Sequence, residues 1–290
     1  AYYIAKKTKA KLVFEAHDLW PLSPMIIGGY SKYHPFIWIM QRAENFAYKF
    51  SDKVVSLFDK AYPHMEEHGL KKEKFFCIPN GYSIDEWSDN KITIPEIYKE
   101  LFEDLKSKNK TIIGYAGGHS DSNALDTILD AALLIKDNES IVFILVGKGV
   151  LKDRLIERSK ILNLNNVIFL DSVSKKSIPD LISYFDIGYY GGVHSILHKF
   201  GTSVNKMTDF MLSSKPIIVS IDEPNSLIER VGCGIQVEAE NPDLVVEAIY
   251  KILNMSDEER KEMGRKGKEY AEKHLEYGIL AKEFINIINS

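Results

Sequence analysis

The segment from Lys199 to Ile218 gathers the residue types that bind an anion and a polyol. Phe200 and Gly201 open a loop in which glycine lets the backbone come close to a ligand. The hydroxyls of Thr202 and Ser203 follow, and Ser203 or Asn205 can cap a short helix. Lys206 and Asp209 are three apart and share one face of that helix. A helix N-terminus with glycine, hydroxyls and a lysine suits an anion such as a diphosphate. An aspartate on the same face could hold sugar hydroxyls. An ordinary crossover with a solvated Lys and Asp fits the same spacing.

Other chemistry-bearing residues also sit at expected strand ends. The run Gly114–Asn123 contains the pair Gly117 and Gly118 between a strand and a helix, which suits a phosphate or sugar lying against backbone. It matches neither of the two common glycine-rich phosphate motifs. Asp171–Lys175, with Val173 at its centre, could hold a nucleobase edge through backbone groups, or form a plain turn capped by Ser174 or Ser177. His17 ends a strand, where it faces a ligand or bonds to backbone. Asp18 could close an Asx-turn over Trp20–Leu22. His64 and His68 are four apart, as zinc ligands can be, but no third ligand is near in the sequence and they read as a solvated helix face. His194 and His198 precede Phe200. The cluster His34–Met40, beside Lys32 and Arg42, reads as a core helix or as a patch for a bilayer surface.

The elements that must position these residues alternate. Strands are expected at 12–15, 54–58 and 75–79, with helices near 35–49 and 60–69, and Asn80-Gly81 is a turn. The pattern weakens between 82 and 110. Beyond Lys110 strands are expected at 111–115, 141–146, 167–170, 186–190, 217–220 and 234–237. Helices lie between them near 122–136, 150–163, 176–185, 204–213 and 224–231. Three more follow at 241–254, 256–274 and 276–289. Near-continuous Ile/Val/Leu/Phe strands separated by helices imply a parallel sheet covered on both faces, with ligands at the carboxyl ends of the strands.

With 290 residues, 45% hydrophobic and 27% charged, the chain can bury a full core in two domains. A net charge of −4 gives no case for broad nucleic-acid binding. No apolar run is long enough to span a membrane. Cys77 and Cys233 fit a reducing compartment, offer no metal spacing and read as buried, inert thiols.

His17–Pro21, Cys77–Gly81, Ile113–Gly118, Ile144–Gly149, Phe200–Met211, Lys215–Ile218 and Gly232–Ile235 occur in an order that resembles the family 4 retaining glycosyltransferases of the GT-B fold, of the capsule and O-antigen type. The resemblance covers nearly the whole chain. It implies a complete C-terminal Rossmann-like domain and an incomplete N-terminal one, because the strand that normally opens the first domain is missing. The domains expected are 1–90 on the acceptor side, a linker at 91–110, a nucleotide-sugar domain at 111–274, and a helix at 275–290 packing back toward the first domain. The second acidic residue of the family's Glu-x7-Glu signature falls on Asp209. The first falls on Gly201, and the family's Arg and Lys on the first loop of the second domain are replaced by His119 and Asn123.

The resemblance therefore implies His17 and Lys206 as catalytic residues. Donor binding falls to Gly117, Gly118, Val173, Phe200, Gly201, Thr202, Ser203 and Asp209. No metal or cofactor is implied, in agreement with the lack of an Asp-x-Asp pair. The donor would be a UDP-sugar and the acceptor a glycan or lipid-linked saccharide in capsule, O-antigen or exopolysaccharide synthesis. The protein would be cytoplasmic, with peripheral contact at the inner face of the membrane. A non-catalytic nucleotide-sugar-binding module is the alternative, and a GT-B epimerase a third reading with less support from Phe200–Met211.

Overall fold

The computed structural model describes residues 1–89 and 92–290. The domain border drawn at 90/91 falls on Asn90 and Lys91, outside the described residues. The chain divides into two compact units. The first comprises Ala1–Gly81, Ser195–Ser203 and Tyr277–Ser290, and the second comprises Tyr82–His194 and Val204–Glu276.

In the first unit, β1 (Val13–Ala16), β2 (Lys53–Ser56) and β3 (Phe75–Cys77) form a parallel sheet in sequence order. Leu19, Tyr48, Met65, Leu70 and Phe200 are buried with it. The C-terminal helix Tyr277–Asn289 joins this unit. Lys11 Nζ donates to the Ile288 carbonyl at 2.6 Å, and Lys53 Nζ donates to Ser290 Oγ at 2.8 Å.

The long helix Pro35–Phe50 buries Ile37, Glu44 and Tyr48. Phe36, Trp38 and Ile39 stay exposed, so of the apolar cluster 34–40 only Ile37 is fully buried. The reason is that the buried seam is polar: the Tyr48 hydroxyl donates to Glu44 at 2.8 Å and Gln41 donates to it at 2.6 Å. Hydrophobic periodicity does not detect such a seam. Within the stretch read as a loop at 17–24, a helix starts at Leu22 and ends at Ile27. Asp18 anchors its approach, accepting from Leu19 N–H at 2.8 Å, Trp20 Nε1 at 3.2 Å and Ser23 Oγ at 2.5 Å.

The second unit holds six parallel strands: β4 (Thr111–Ala116), β5 (Ile141–Val146), β6 (Val167–Leu170), β7 (Ile187–Gly191), β8 (Ile217–Ser220) and β9 (Gly234–Val237). Their order is β6-β5-β4-β7-β8-β9. Alternate residues serve opposite faces, as a pleated strand requires. Ile112, Val142, Ile144 and Val219 enter one core, while Ile113, Tyr115, Phe143, Leu145 and Ile218 enter the other. Every residue of β5 is buried. Burial of one such side chain contributes about 1.5–3 kcal/mol, so this doubly covered sheet is the main source of stability. Within residues 91–110, read from sequence as a linker, the helix Glu96–Ser107 buries Phe102 and Leu105 in this unit. The chain winds outward from β4 through β5 to β6, then returns and winds the other way from β7. The strand order reverses between β4 and β7, the point where open sheets of this kind bind ligands.

Candidate functional site in the six-stranded unit

The residues at that switch point come from two elements. β4 delivers Gly117 and Gly118, and the helix Asn205–Leu212, which follows β7, delivers Lys206 and Asp209. Lys206 Nζ donates to the Tyr115 hydroxyl at 3.0 Å and to Asn123 Oδ1 at 2.6 Å. Tyr115 and Asn123 in turn donate to the Gly118 carbonyl at 2.6 and 3.0 Å. A Cβ on Gly117 would lie 2.3 Å from Lys206 Cε, so glycine is what lets the lysine lie against the strand end. The ammonium also stands 4.8 Å from the Tyr115 ring centroid and 5.5 Å from that of Tyr190. Burial lowers its pKa from 10.5 to about 8.

Asp209 is half-buried, one helical turn beyond Lys206. Burial raises its carboxyl pKa from 3.8 to about 7, and the charge of Lys175 works against that rise. A cavity of about 320 Å³ lies at Gly117, lined by Gly117, Gly118, Val146, Gly147, Val173 and Ile178 among others. Glycine backbone, an apolar wall and the polar residues Lys148 and Ser172 form it. A roomier hollow of about 580 Å³ lies on helix surfaces between Val246 and Glu259, away from every strand-end loop.

Of the residues singled out in the sequence, Gly117, Gly118 and Val173 line one cavity, and Lys206 packs on Gly117. Phe200, Gly201 and Ser203 lie in the first unit instead. Phe200 is buried there, its carbonyl accepting from Lys60 N–H at 3.1 Å. Gly201 has φ +103°, and a Cβ there would meet Asp59 Oδ1 at 2.5 Å. Thr202 stands between them. Ser203 does not cap the following helix. Its Oγ accepts from Asn80 N–H at 2.7 Å, while Asn80 Nδ2 donates to the Ser203 carbonyl at 2.7 Å. The residue at the cap position is Val204, without a side-chain cap, so Asn205 does not serve either. His17 follows β1, is 68% exposed, and pairs with Glu15 at 3.2 Å.

His119 does not offer a positive charge to a ligand. It is fully buried between the rings of Tyr115 and Phe169, and burial, then Lys152, lower its pKa. Two residues escaped sequence reasoning. Tyr115 orients Lys206, and its phenol within a strand resembles any core aromatic. Asp222, which follows β8, bonds His194 Nδ1 at 2.9 Å. That bond raises the His194 pKa. Among the described residues, no helix is long and apolar enough to cross a membrane.

Two units of α-helices and parallel strands, with a switch-point cavity in the larger, define a GT-B protein. Solved structures share this fold at low identity. Anabaena HepE, crystallised with UDP and glucose, superposes with a TM-score of 0.74 at 18% identity, over 100% of this chain and 74% of that one. WaaG, a glycosyltransferase involved in lipopolysaccharide biosynthesis, gives a TM-score of 0.68 at 16% identity, over 98% of this chain and 80% of that one. The chain belongs to the group 1 glycosyl transferases, whose family model matches residues 97–270. It is 26% identical over 188 residues to WcaI of Escherichia coli (strain K12), assigned as a colanic acid biosynthesis glycosyl transferase. That match covers 62% of this chain and 43% of WcaI.

Proposed function

We propose that the chain is the nucleotide-sugar-binding part of a retaining glycosyltransferase, with a UDP-sugar as donor and a glycan or lipid-linked saccharide as acceptor. The observation that carries this reading is Lys206, held on Gly117 by Tyr115 and Asn123 at the β4/β7 switch, with Asp209 one turn away. The base would enter the cavity beside Val173. The diphosphate would lie on Gly117 and Gly118 against the Lys206 ammonium, which stabilises the charge that develops on the departing nucleotide. Asp209 would accept hydrogen bonds from ribose or sugar hydroxyls. A lysine can meet the leaving diphosphate without a metal ion. In this reading the second unit is the donor domain, the first, with His17, serves the acceptor side, and Phe200, Gly201, Thr202 and Ser203 contribute to donor binding.

The relatives named above support polysaccharide assembly as the setting, which would place the protein in the cytoplasm at the inner face of the membrane. A nucleotide-sugar-binding module without transfer is the second reading. It is favoured by Gly201, which fills the position of the first signature glutamate and is turned toward Asp59. A thermal-shift panel of nucleoside diphosphates and nucleotide sugars tests the shared part. A specific ligand at a hundredfold excess over Kd adds about 2.7 kcal/mol of stability. Release of UDP that depends on acceptor separates transfer from binding alone. No shift with any nucleotide would end both readings.

A further inference from the structure

Glu44, His64 and His68 form a cluster outside the donor site. Glu44 lies on the helix Pro35–Phe50, His64 on the helix Tyr62–Glu67, and His68 at the end of that second helix. The two histidines are therefore not a solvated helix face, because the packing of the two helices brings a carboxylate to them. One potential ligand atom from each residue lies within 4.8 Å of the other two. The side chains of His64 and Glu44 are 10% and 4% exposed. His64 Nε2 is buried 3.5 Å from Glu44 Oε1, and it has no hydrogen-bond partner among the described residues. Zinc bonds of about 2.0–2.2 Å to histidine and carboxylate put neighbouring tetrahedral ligands roughly 3.3–3.5 Å apart. The His64–Glu44 separation already meets that spacing, and the two imidazole centroids are 4.7 Å apart.

The surroundings are also short of hydrogen-bond donors. Gln41 Nε2 stands 2.6 Å from Glu44 Oε2, 2.8 Å from Asn45 Oδ1 and 3.0 Å from His68 Nδ1. An amide nitrogen carries two hydrogens, so with the His68 ring proton on Nε2 three acceptors compete for two donors. A cation among these acceptors removes the shortfall. Tyr48 and Gln41 would then orient the Glu44 carboxylate, as outer partners commonly do at metal sites.

We propose that Glu44, His64 and His68 bind one first-row divalent metal ion, with zinc the ion that suits two imidazoles and a carboxylate. The ion would join the two helices. It would also hold the His64 ring, whose centroid is 5.4 Å from that of Phe200, and so fix the segment Ser195–Ser203 within the first unit.

The test is titration of the chelator-treated full chain with Co²⁺, followed by visible absorption, with Zn²⁺ in competition. One ion per chain is expected, and Zn²⁺ should raise the thermal midpoint. Because Glu44 is buried, the test rests on His68→Gln and His64→Gln, each checked for folding by circular dichroism. Each should weaken binding by about 100-fold or more, and Tyr48→Phe by about 10–100-fold. Cys77→Ser and His194→Ala should bind as the unaltered chain does. Absence of saturable binding overturns the proposal. So does full affinity in both histidine variants, or loss of binding in Cys77→Ser.

Discussion

Lys206 and Asp209 are perturbed in opposite directions by the same cause. Burial penalises the charged form of each, which lowers an amine and raises a carboxyl. For Lys206 the folded state holds fewer protons than the unfolded state between about 8 and 10.5, so its contribution to stability grows as pH rises through that window. For Asp209 the folded state holds more protons between 3.8 and about 7, so its contribution is full below 3.8 and is lost as pH rises through about 7. Asp209→Asn should therefore make stability at pH 8, relative to pH 5, higher than in the unaltered chain; denaturant melts at both pH values check this. A diphosphate needs the ammonium, and hydroxyl donors favour the carboxylate. Affinity for UDP should rise as pH passes about 7 and fall as it passes about 8. Asp209→Asn should flatten the acid limb and Lys206→Met the alkaline limb in calorimetry across that range. At a pH near 7.5, Asp209→Ala should cost roughly 1–3 kcal/mol of donor affinity, the size of a charge-assisted hydrogen bond.

At the scale of elements, two glycines make opposite demands. Gly117 faces a lysine side chain that can swing away, with Lys206 Cε 2.3 Å from where a Cβ would stand. Gly117→Ala should therefore leave the fold intact and displace Lys206, so that UDP affinity falls while the melting temperature holds. Gly201 sits in backbone space that is essentially closed to other residues, and Asp59 fills the place of a side chain. Gly201→Ala should cost on the order of 1–3 kcal/mol in stability. Proteolysis within Ser195–Ser203 should accelerate in that variant, and proteolysis at β4 should not.

For the whole molecule, the two units differ in how much they bury. The six-stranded sheet is covered on both faces by two large buried clusters, while the smaller sheet packs against one small cluster. Tyr3, Ile27, Tyr33, Trp38 and Ile39 of the first unit are largely exposed. Amide hydrogen exchange should therefore show residues 111–239 as the most protected part and residues 1–81 as the part that opens more readily. Equal protection across both would refute this. UDP should raise protection around Gly117, Val173 and Lys206 before any other region.

The local pattern of the chain was enough to place the nine strands described and most helices, because buried parallel strands write continuous apolar runs and helices write a 3.6-residue period. Ordered motifs were enough to single out Gly117, Gly118 and Lys206, which the fold brings together, because close approach and charge need particular residue types. Other features depend on distance in space, and no spacing encodes them. The helix Glu96–Ser107 was missed because its charged surface hides two core residues, Phe102 and Leu105. His119 carried the composition of a ligand but is buried beneath its loop. Phe200, Gly201 and Ser203 adjoin Lys206 in sequence, yet they are held by Lys60, Asp59 and Asn80, more than a hundred residues away. Glu44 meets His64 and His68 only because two helices pack with a polar seam between them. Short-range chemistry sets the elements one residue at a time, whereas packing decides which of their side chains share a site.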